Sequence, residues 1–498
     1  MFYERWFRCT IGAMPKTIKI LFLAAEADPY VKVGGLGDVA GSLPRALRAL
    51  PPELTGEITM DVRLVLPFHA VIRSRTTSLR PVPSFVLKRE GEDVFVEAYE
   101  TTLDGMPVYF IGGGPIDASG SVYSSNPEID AEKYTFFSLA VLELVKQIDW
   151  YPDVVHANDW HTALTAYGLL VQQWQEGQSR PASVITIHNL PFLGPDVHEL
   201  LDRYDIPLAQ TDLPLWARLK PLPLGMWAAD AIVAVSPTYA DEMLSEEYGA
   251  GLDDFLKTRR ENLSGILNGL DVKSFYPGTD PEIAAQFTVD TLDERKANNI
   301  ALTERLGLST DPDIPLFGVV SRLELQKGID MVLDGLRKMA DVPWQAVILG
   351  TGDPKLEESA RKLAADFPGR LHFEAKYDAK LARLIYAGTD IFLMPSRYEP
   401  CGLSQMIAMR YGCIPVVRAV GGLHDTVTDG ETGFVFIQPK IKDFVSAVLR
   451  ALEAYKHEET WRDMQVKGMS QDFSWTNSAL KYLDLYRRII HRSGVPLP

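Results

Sequence analysis

The chain has 498 residues, 46% of them hydrophobic and 23% charged, with a formal net charge of −16. That length exceeds one ordinary core and points to about two to four domains, while acidity with scattered Lys and Arg opposes binding to nucleic acid or an anionic membrane. Three cysteines (Cys9, Cys401, Cys413) form neither a disulfide framework nor a metal spacing, and no apolar run nears the roughly 20 residues of a membrane span, so a reducing cytoplasm is expected.

Residues 1–16 are mildly basic and aromatic but lack the apolar centre and cleavage site of a signal peptide. They read as an extension, with Met14 just before the apolar run 18–23 as a more natural start; a targeting or oligomer-contact role is the alternative. Strands then follow at 18–25, 62–66, 94–99, 108–111, 154–157, 184–187 and 231–235, with helices at 38–50, 131–148 and 162–175. The same grammar restarts at Leu316. Strands fall at 316–320, 344–349, 371–374, 391–394 and 414–417, with helices at 328–339, 355–366 and 380–387. Apolar strands alternating with helices predict parallel sheets covered on both faces. The expected fold class is α/β: two doubly wound, Rossmann-like domains facing across a cleft, at 17–270 and, with its linker, 271–472. Such sheets bind ligands beyond the carboxyl ends of their strands, so the chemistry belongs in strand-to-helix loops of both halves.

The first such loop is Lys32-Val-Gly-Gly-Leu-Gly-Asp38. Gly34 and Gly35 let backbone amides approach a phosphate, and Lys32 adds a point charge. The bland alternative is a tight turn with an exposed lysine. A dinucleotide fingerprint also fits Gly35 to Ala40, but the second strand ends in Pro67-Phe-His69 without the required acid. His156-Ala-Asn-Asp-Trp-His161 follows the strand at 154. Paired histidines suggest a metal, yet no third ligand of suitable spacing appears. A polar substrate contact from His161, with His156 buried, fits better; no metal and no cofactor are expected. His188-Asn-Leu190 ends the strand at 184–187. Asn268-Gly-Leu-Asp271 is by itself an ordinary turn, and only its place at the expected cleft turns Asn268 toward a ligand.

In Ser321-Arg-Leu-Glu-Leu-Gln-Lys-Gly328, Arg322 and Lys327 bracket one loop and together can neutralise a diphosphate. A surface ion pair of Arg322 with Glu324 is the alternative. The most informative stretch is Pro395-Ser-Arg-Tyr-Glu-Pro-Cys-Gly-Leu-Ser-Gln405, between the strand at 391–394 and a short helix at about 402–411. Here Glu399 precedes the free amides of Gly402, Leu403 and Ser404. A helix N-terminus suits a phosphate, and a carboxylate accepts hydrogen bonds from sugar hydroxyls. The combination asks for a ligand with both a sugar and a phosphate. No second carboxylate, Gly-x-Ser-x-Gly elbow or Walker loop accompanies it.

Taken in order with Ser236-Pro-Thr-Tyr239, Gly421-Gly-Leu423 and Asp472-Phe-Ser-Trp475, these motifs resemble bacterial glycogen synthase and plant starch synthase from about residue 18 to 486. The resemblance implies a two-domain GT-B glycosyltransferase. Its donor would be ADP-glucose or UDP-glucose, its acceptor an α-1,4-glucan such as glycogen, and transfer would retain the anomeric configuration. It implies that Lys32, Gly34 and Gly35 approach the sugar nucleotide, and that Asp38, His161 and Asn268 bind or orient glucose. Arg322 and Lys327 would stabilise the departing diphosphate, Tyr377 would stack on the base, and Glu399 would hold sugar hydroxyls beside the amides of Cys401, Gly402 and Leu403. The last helix, within 473–498, would return to the first domain. Departures from the family pattern fall at Ile129-Asp-Ala-Glu-Lys-Tyr134, at Pro191-Phe-Leu-Gly194 and at Met406-Ile407, the first two on the acceptor side. The rival readings are a transferase with a small acceptor, a glucan-binding relative without turnover, and a phosphorylase, for which nothing marks a pyridoxal lysine.

Overall fold

The computed structural model describes residues 17–492 except 77 and 178, so the expected extension at 1–16, with Cys9, lies outside the described residues. The first strands are β1 (Thr17–Leu23), β2 (Thr59–Pro67), β3 (Arg80–Leu87), β4 (Val94–Leu103), β5 (Met106–Gly113), β6 (Val154–Asn158) and β7 (Ala182–Ile187). They run in the order β3-β4-β5-β2-β1-β6-β7. β1 lies parallel between β2 and β6, its apolar residues fully buried as in a strand covered on both faces. Helices α1 (Gly35–Arg48), α2 (Pro127–Gln147) and α3 (Trp160–Glu176) accompany these strands. On α1, buried Leu36, Val39, Ala40, Leu43 and Leu47 recur at helical spacing. α2 starts from Asn126, whose side chain accepts from the Glu128 amide, with Pro127 in its first turn.

This sheet is not wholly parallel, as the sequence led one to expect. β4 pairs antiparallel with both β3 and β5. Asp104 and Gly105 have φ of 49° and 77°, the left-handed pair that closes a two-residue hairpin between β4 and β5. Residues 80–87 carry no strand in the sequence reading, where Pro81 and Pro83 mask it. Both are tolerated because β3 is an edge.

β8 (Ala231–Ala234) lies parallel to β9 (Leu263–Gly265), and α4 (Pro237–Glu242) stands between them in the chain. A six-stranded sheet follows, built from β10 (Leu316–Val320), β11 (Gln345–Leu349), β12 (Leu371–Glu374), β13 (Ile391–Met394), β14 (Ile414–Arg418) and β15 (Phe434–Phe436). Its order is β12-β11-β10-β13-β14-β15 and its pairings are parallel. Its helices include α5 (Ile329–Lys338), α6 (Ser404–Arg410) and α7 (Gly421–Thr426). One core cluster joins Phe317, Trp344, Ile348, Leu393, Val416 and Phe444, and the buried Trp344 indole donates to the Met339 carbonyl at 2.8 Å.

By packing, the chain divides into two units. One holds the described residues up to Ile185, then Phe192–Ala231 and the chain from Ala479; the other holds Thr186–Pro191 and Ile232–Ser478. In the first, the closing helix α8 (Trp475–Arg492) buries Tyr482, Leu483, Tyr486 and Ile489, and the Tyr486 hydroxyl shares a 2.7 Å hydrogen bond with buried His156. The boundary expected at 270 lies inside the second unit, because Ser236 and Thr238 are hydrogen-bonded to Pro400 and Asp425. Among the described residues no helix is long and apolar enough to cross a membrane.

Candidate active site

In the first unit the strand order turns back at β1, with β2 on one side and β6 on the other. A crevice at the carboxyl ends of such a pair is where doubly wound sheets bind ligands. The stretch after β1 carries Glu26 and Lys32; the end of β6 leads into Asp159 and His161. Lys32 Nζ lies 2.6 Å from Asp38 Oδ1, both side chains partly exposed. The expected point charge is thus paired with an expected glucose-binding residue. Gly35 opens α1, and a Cβ added there would meet nothing within 4 Å, which leaves its backbone approachable. Gly34 departs from expectation. Its amide donates to both oxygens of Glu26 at 3.1 Å, and the Val33 amide donates to Oε2 of the same carboxylate. Burial pushes the Glu26 pKa up, while these amides and the Tyr123 hydroxyl hold it down. Sequence reading passes over Glu26, since a carboxylate serving backbone amides leaves no spacing signature.

His161 is the second residue of α3 and is buried. Its ring lies 4.1 Å from Trp160, 4.6 Å edge-on from Tyr134 and 5.0 Å from Tyr123. Asp159, two residues before it, has φ 53° and ψ −173°. That backbone region is nearly reserved for glycine and costs of order 1–3 kcal/mol, a strain that tends to gather at working sites.

The sheet of the second unit turns back between β10 and β13. The loop after β10 ends in Lys327, and the loop after β13 holds Glu399. Gly328 has φ 70°, and a Cβ there would run into the Pro395 carbonyl oxygen, so glycine lets the two loops touch. They are then laced together. The Arg397 amide donates to Gln326 O at 2.7 Å, Gln326 Nε2 donates to Tyr398 O at 3.1 Å, and the Arg397 guanidinium grips both Asp330 oxygens at 2.7 and 2.6 Å. Lys327 Nζ reaches Glu399 Oε2 at 2.7 Å, and Ser396 Oγ donates to the same oxygen at 3.1 Å. The two charged side chains are only 17% and 7% exposed, so water screens them less than a surface pair. Arg322 does not join them. It is 65% exposed and holds Glu324 Oε1 at 2.7 Å, the nearest carboxylate satisfying the guanidinium.

Gly402, at φ 74°, turns the chain toward α6, where Leu403 is the cap, Ser404 the first helical residue, and no side chain occupies the cap. The amides of this turn are therefore not consumed by a side-chain cap. Burial pushes the Cys401 thiol up to about 12, so Cys401 offers backbone rather than a thiolate. Cβ atoms at Gly421 and Gly422 would run into the carbonyl oxygens of Glu399 and Cys401, which explains the paired glycines. Asn268 is buried and its Oδ1 has no hydrogen-bond partner among the described residues. An orphaned buried acceptor costs about 1–3 kcal/mol, and a ligand donor would relieve it. Asn189 Oδ1 is in the same condition, and burial lowers neighbouring His188 to about 3, leaving its imidazole neutral. From sequence alone neither residue carries a role beyond the motif His188-Asn-Leu190. Tyr377 follows β12 and is 86% exposed.

Glu242, at the end of α4, accepts from the Gly421 amide at 3.0 Å, while its Oε2 is buried without a hydrogen-bond partner among the described residues. Burial pushes its pKa up to about 7 from an ordinary 4.5, against the pull of that amide and of Arg418. A carboxyl raised this way stabilises the fold below about pH 4.5 and loses that contribution as pH climbs through about 7. Glu242→Gln, which stays neutral, should therefore melt about 2 °C above the parent at pH 8. The difference should shrink on lowering the pH to 5.5. Melting curves at both pH values check this, and a difference independent of pH would contradict it.

Residues 19–258 match the family model described as starch synthase catalytic domain, and residues 304–465 match glycosyl transferases group 1. The glycogen synthase of Thermotoga maritima is 38% identical over 96% of this chain and 100% of its own length. That of Gloeobacter violaceus is likewise 38% identical, again over 96% and 100%. Among solved structures, the catalytic domain of starch synthase IV from Arabidopsis thaliana, bound to ADP and acarbose, superposes with a TM-score of 0.83 at 33% identity, covering 95% of this chain and 99% of that one. Sucrose-phosphate synthase from Thermosynechococcus elongatus shares the fold alone, with a TM-score of 0.59 at 19% identity over 95% and 98% of the two chains. Two α/β units with mostly parallel sheets, motifs at their switch points and identity across nearly the whole length agree: the chain belongs to the glycogen synthase and starch synthase family of GT-B glycosyltransferases.

Proposed function

We propose that the chain transfers glucose from ADP-glucose to the non-reducing end of an α-1,4-glucan such as glycogen, with retention of configuration. The observation that carries this reading is the shielded Lys327–Glu399 pair beside an uncapped helix start. It sets a cation, a hydroxyl-binding carboxylate and backbone amides within one pair of loops, as a sugar joined to a diphosphate requires. The ADP and acarbose bound by the Arabidopsis relative support a nucleotide donor and a glucan acceptor. The nucleotide sugar is a co-substrate, so the reading calls for no cofactor and no metal. A cytoplasmic location belongs to the same proposal.

Cleavage of the sugar–phosphate bond leaves an oxocarbenium-like glucose and a diphosphate anion. Fixed positive charge on that anion is the largest help a protein can give. Lys327 supplies it from the shielded loop, and Arg322 supplies it after exchanging Glu324 for phosphate oxygens. Glu399 holds sugar hydroxyls next to the 401–404 backbone. Lys32, Gly35 and Asp38 serve the donor, His161 and Asn268 orient glucose, and exposed Tyr377 stacks on the base. With the acceptor hydroxyl attacking on the leaving-group face, a departing phosphate oxygen takes its proton, and no second carboxylate is needed.

The test is release of nucleoside diphosphate from ADP-glucose and from UDP-glucose, each with and without glycogen, together with the size of the product. Glycogen-dependent release of ADP with lengthened chains is expected. Preference for UDP-glucose would correct the donor, transfer only to a small sugar would replace the acceptor, and binding of glycogen without release would end the enzymatic reading.

A further inference from the structure

Lys133 is a fully buried cation in the second turn of α2, outside every role assigned above. Its ammonium lies 2.6 Å from Asp130 Oδ1 and donates to Ser119 Oγ at 3.0 Å, Ser121 O at 3.1 Å and Val122 O at 2.7 Å. Asp130 also accepts from the Ser124 amide at 2.9 Å, and the Tyr134 hydroxyl donates to Val122 O at 2.5 Å. The first two turns of α2 thus grip the segment 119–124 at several points. A buried charge is costly unless fully paired, and three of this one's four partners lie in one short loop.

What that loop presents is Tyr123. Its hydroxyl donates to Glu26 Oε1 at 3.0 Å, and its ring packs 5.0 Å from His161. Glu26 in turn holds the Val33 and Gly34 amides directly ahead of Gly35. The path from the buried ion pair to the glycine loop is continuous, and each link is a hydrogen bond or ring contact within the first unit.

We propose that Asp130, Lys133 and Tyr123 are positioning residues for the transfer reaction: the ion pair fixes the 119–124 loop, and Tyr123 then sets both the Glu26-held glycine loop and the His161 ring. This deepens the proposed function and rests on it. It also assigns the stretch at 129–134, expected on the acceptor side, to the donor side instead. None of the three residues needs to touch substrate.

The experiment uses the full chain with ADP-glucose and glycogen, measuring kcat, both KM values and the melting temperature for the parent, Tyr123→Phe, Lys133→Met and the double variant. Tyr123→Phe keeps the ring on His161 and removes the hydroxyl from Glu26. It should raise the donor KM at least about threefold, leaving the acceptor KM within about twofold. Lys133→Met should show the same donor-specific pattern at least as strongly, and the double variant should be no worse than Lys133→Met. Donor KM and kcat within twofold of the parent in Tyr123→Phe would overturn the inference. Lower melting temperatures with equal losses toward both substrates would also overturn it, reducing the network to a structural one. Multiplicative losses in the double variant would overturn the route through Tyr123. A parent chain without any transfer would overturn the proposed function and this inference with it, whereas a working parent with indifferent variants would overturn this inference alone.

Discussion

Lys327→Ala should lower turnover by at least about a hundredfold, roughly 3 kcal/mol of transition-state stabilisation. Two effects act in the same direction. The variant removes the shielded cation that would meet the departing diphosphate, and a preorganised charge in a water-poor site is worth more than one in solution. It also leaves Glu399 with Ser396 as its remaining side-chain partner among the described residues, so a 7% exposed carboxylate loses its counter-charge. Without the ammonium at 2.7 Å, the carboxylate proposed to accept sugar hydroxyls is held in place less firmly. Arg322→Ala is expected to fall as far, although the residue is 65% exposed and paired with Glu324, because its charge is needed only once the diphosphate is present. Initial rates of ADP release at saturating donor and glycogen check both variants. Turnover within about tenfold of the parent in both would remove these residues from the leaving-group role.

Lys327 and Glu399 are legible separately, Lys327 beside Arg322 and Glu399 beside the Gly402–Ser404 amides, because both stand just past the carboxyl ends of strands. The structure adds that β10 and β13 are neighbours at the point where the strand order turns back. Register along the chain was enough to name the residues; adjacency of the two strands had to be seen. Glycine motifs were legible in part. Gly328, Gly421 and Gly422 are required because a Cβ would strike a carbonyl oxygen of a neighbouring loop, and that cause is invisible until the loops are docked. Gly34 in sequence looks open to phosphate, but its amide belongs to Glu26. Arg322 and Glu324 illustrate the opposite limit, since the sequence allows either a diphosphate contact or a local ion pair, and the structure holds the local pair. The antiparallel excursion through β3 was hidden by prolines at a sheet edge. The Lys133 network has no signature at all, because four of its acceptors and donors are backbone or serine groups set by the path of a loop.

Glu399→Gln should cost about as much as Lys327→Ala, but the two losses should not add. Gln keeps the shape and an oxygen for Ser396 Oγ, while it withdraws the negative charge from Lys327 Nζ at 2.7 Å. In the parent, each residue spends part of its charge on the other and is kept in place by it. Residues in direct contact of this kind show coupling of about 0.5–3 kcal/mol, whereas independent sites add within a few tenths. The combined Lys327→Ala and Glu399→Gln variant should therefore be at least about 1 kcal/mol better than the sum of the single losses predicts, since the second change no longer strands a buried charge. The cycle is read from kcat/KM for the donor in all four proteins. Additive losses would mean that the lysine and the carboxylate work on separate parts of the substrate, and that their contact in the structure is incidental to the reaction. A coupled result would place them as one unit, with the ammonium passing from Glu399 to the diphosphate as the sugar hydroxyls take its place on the carboxylate.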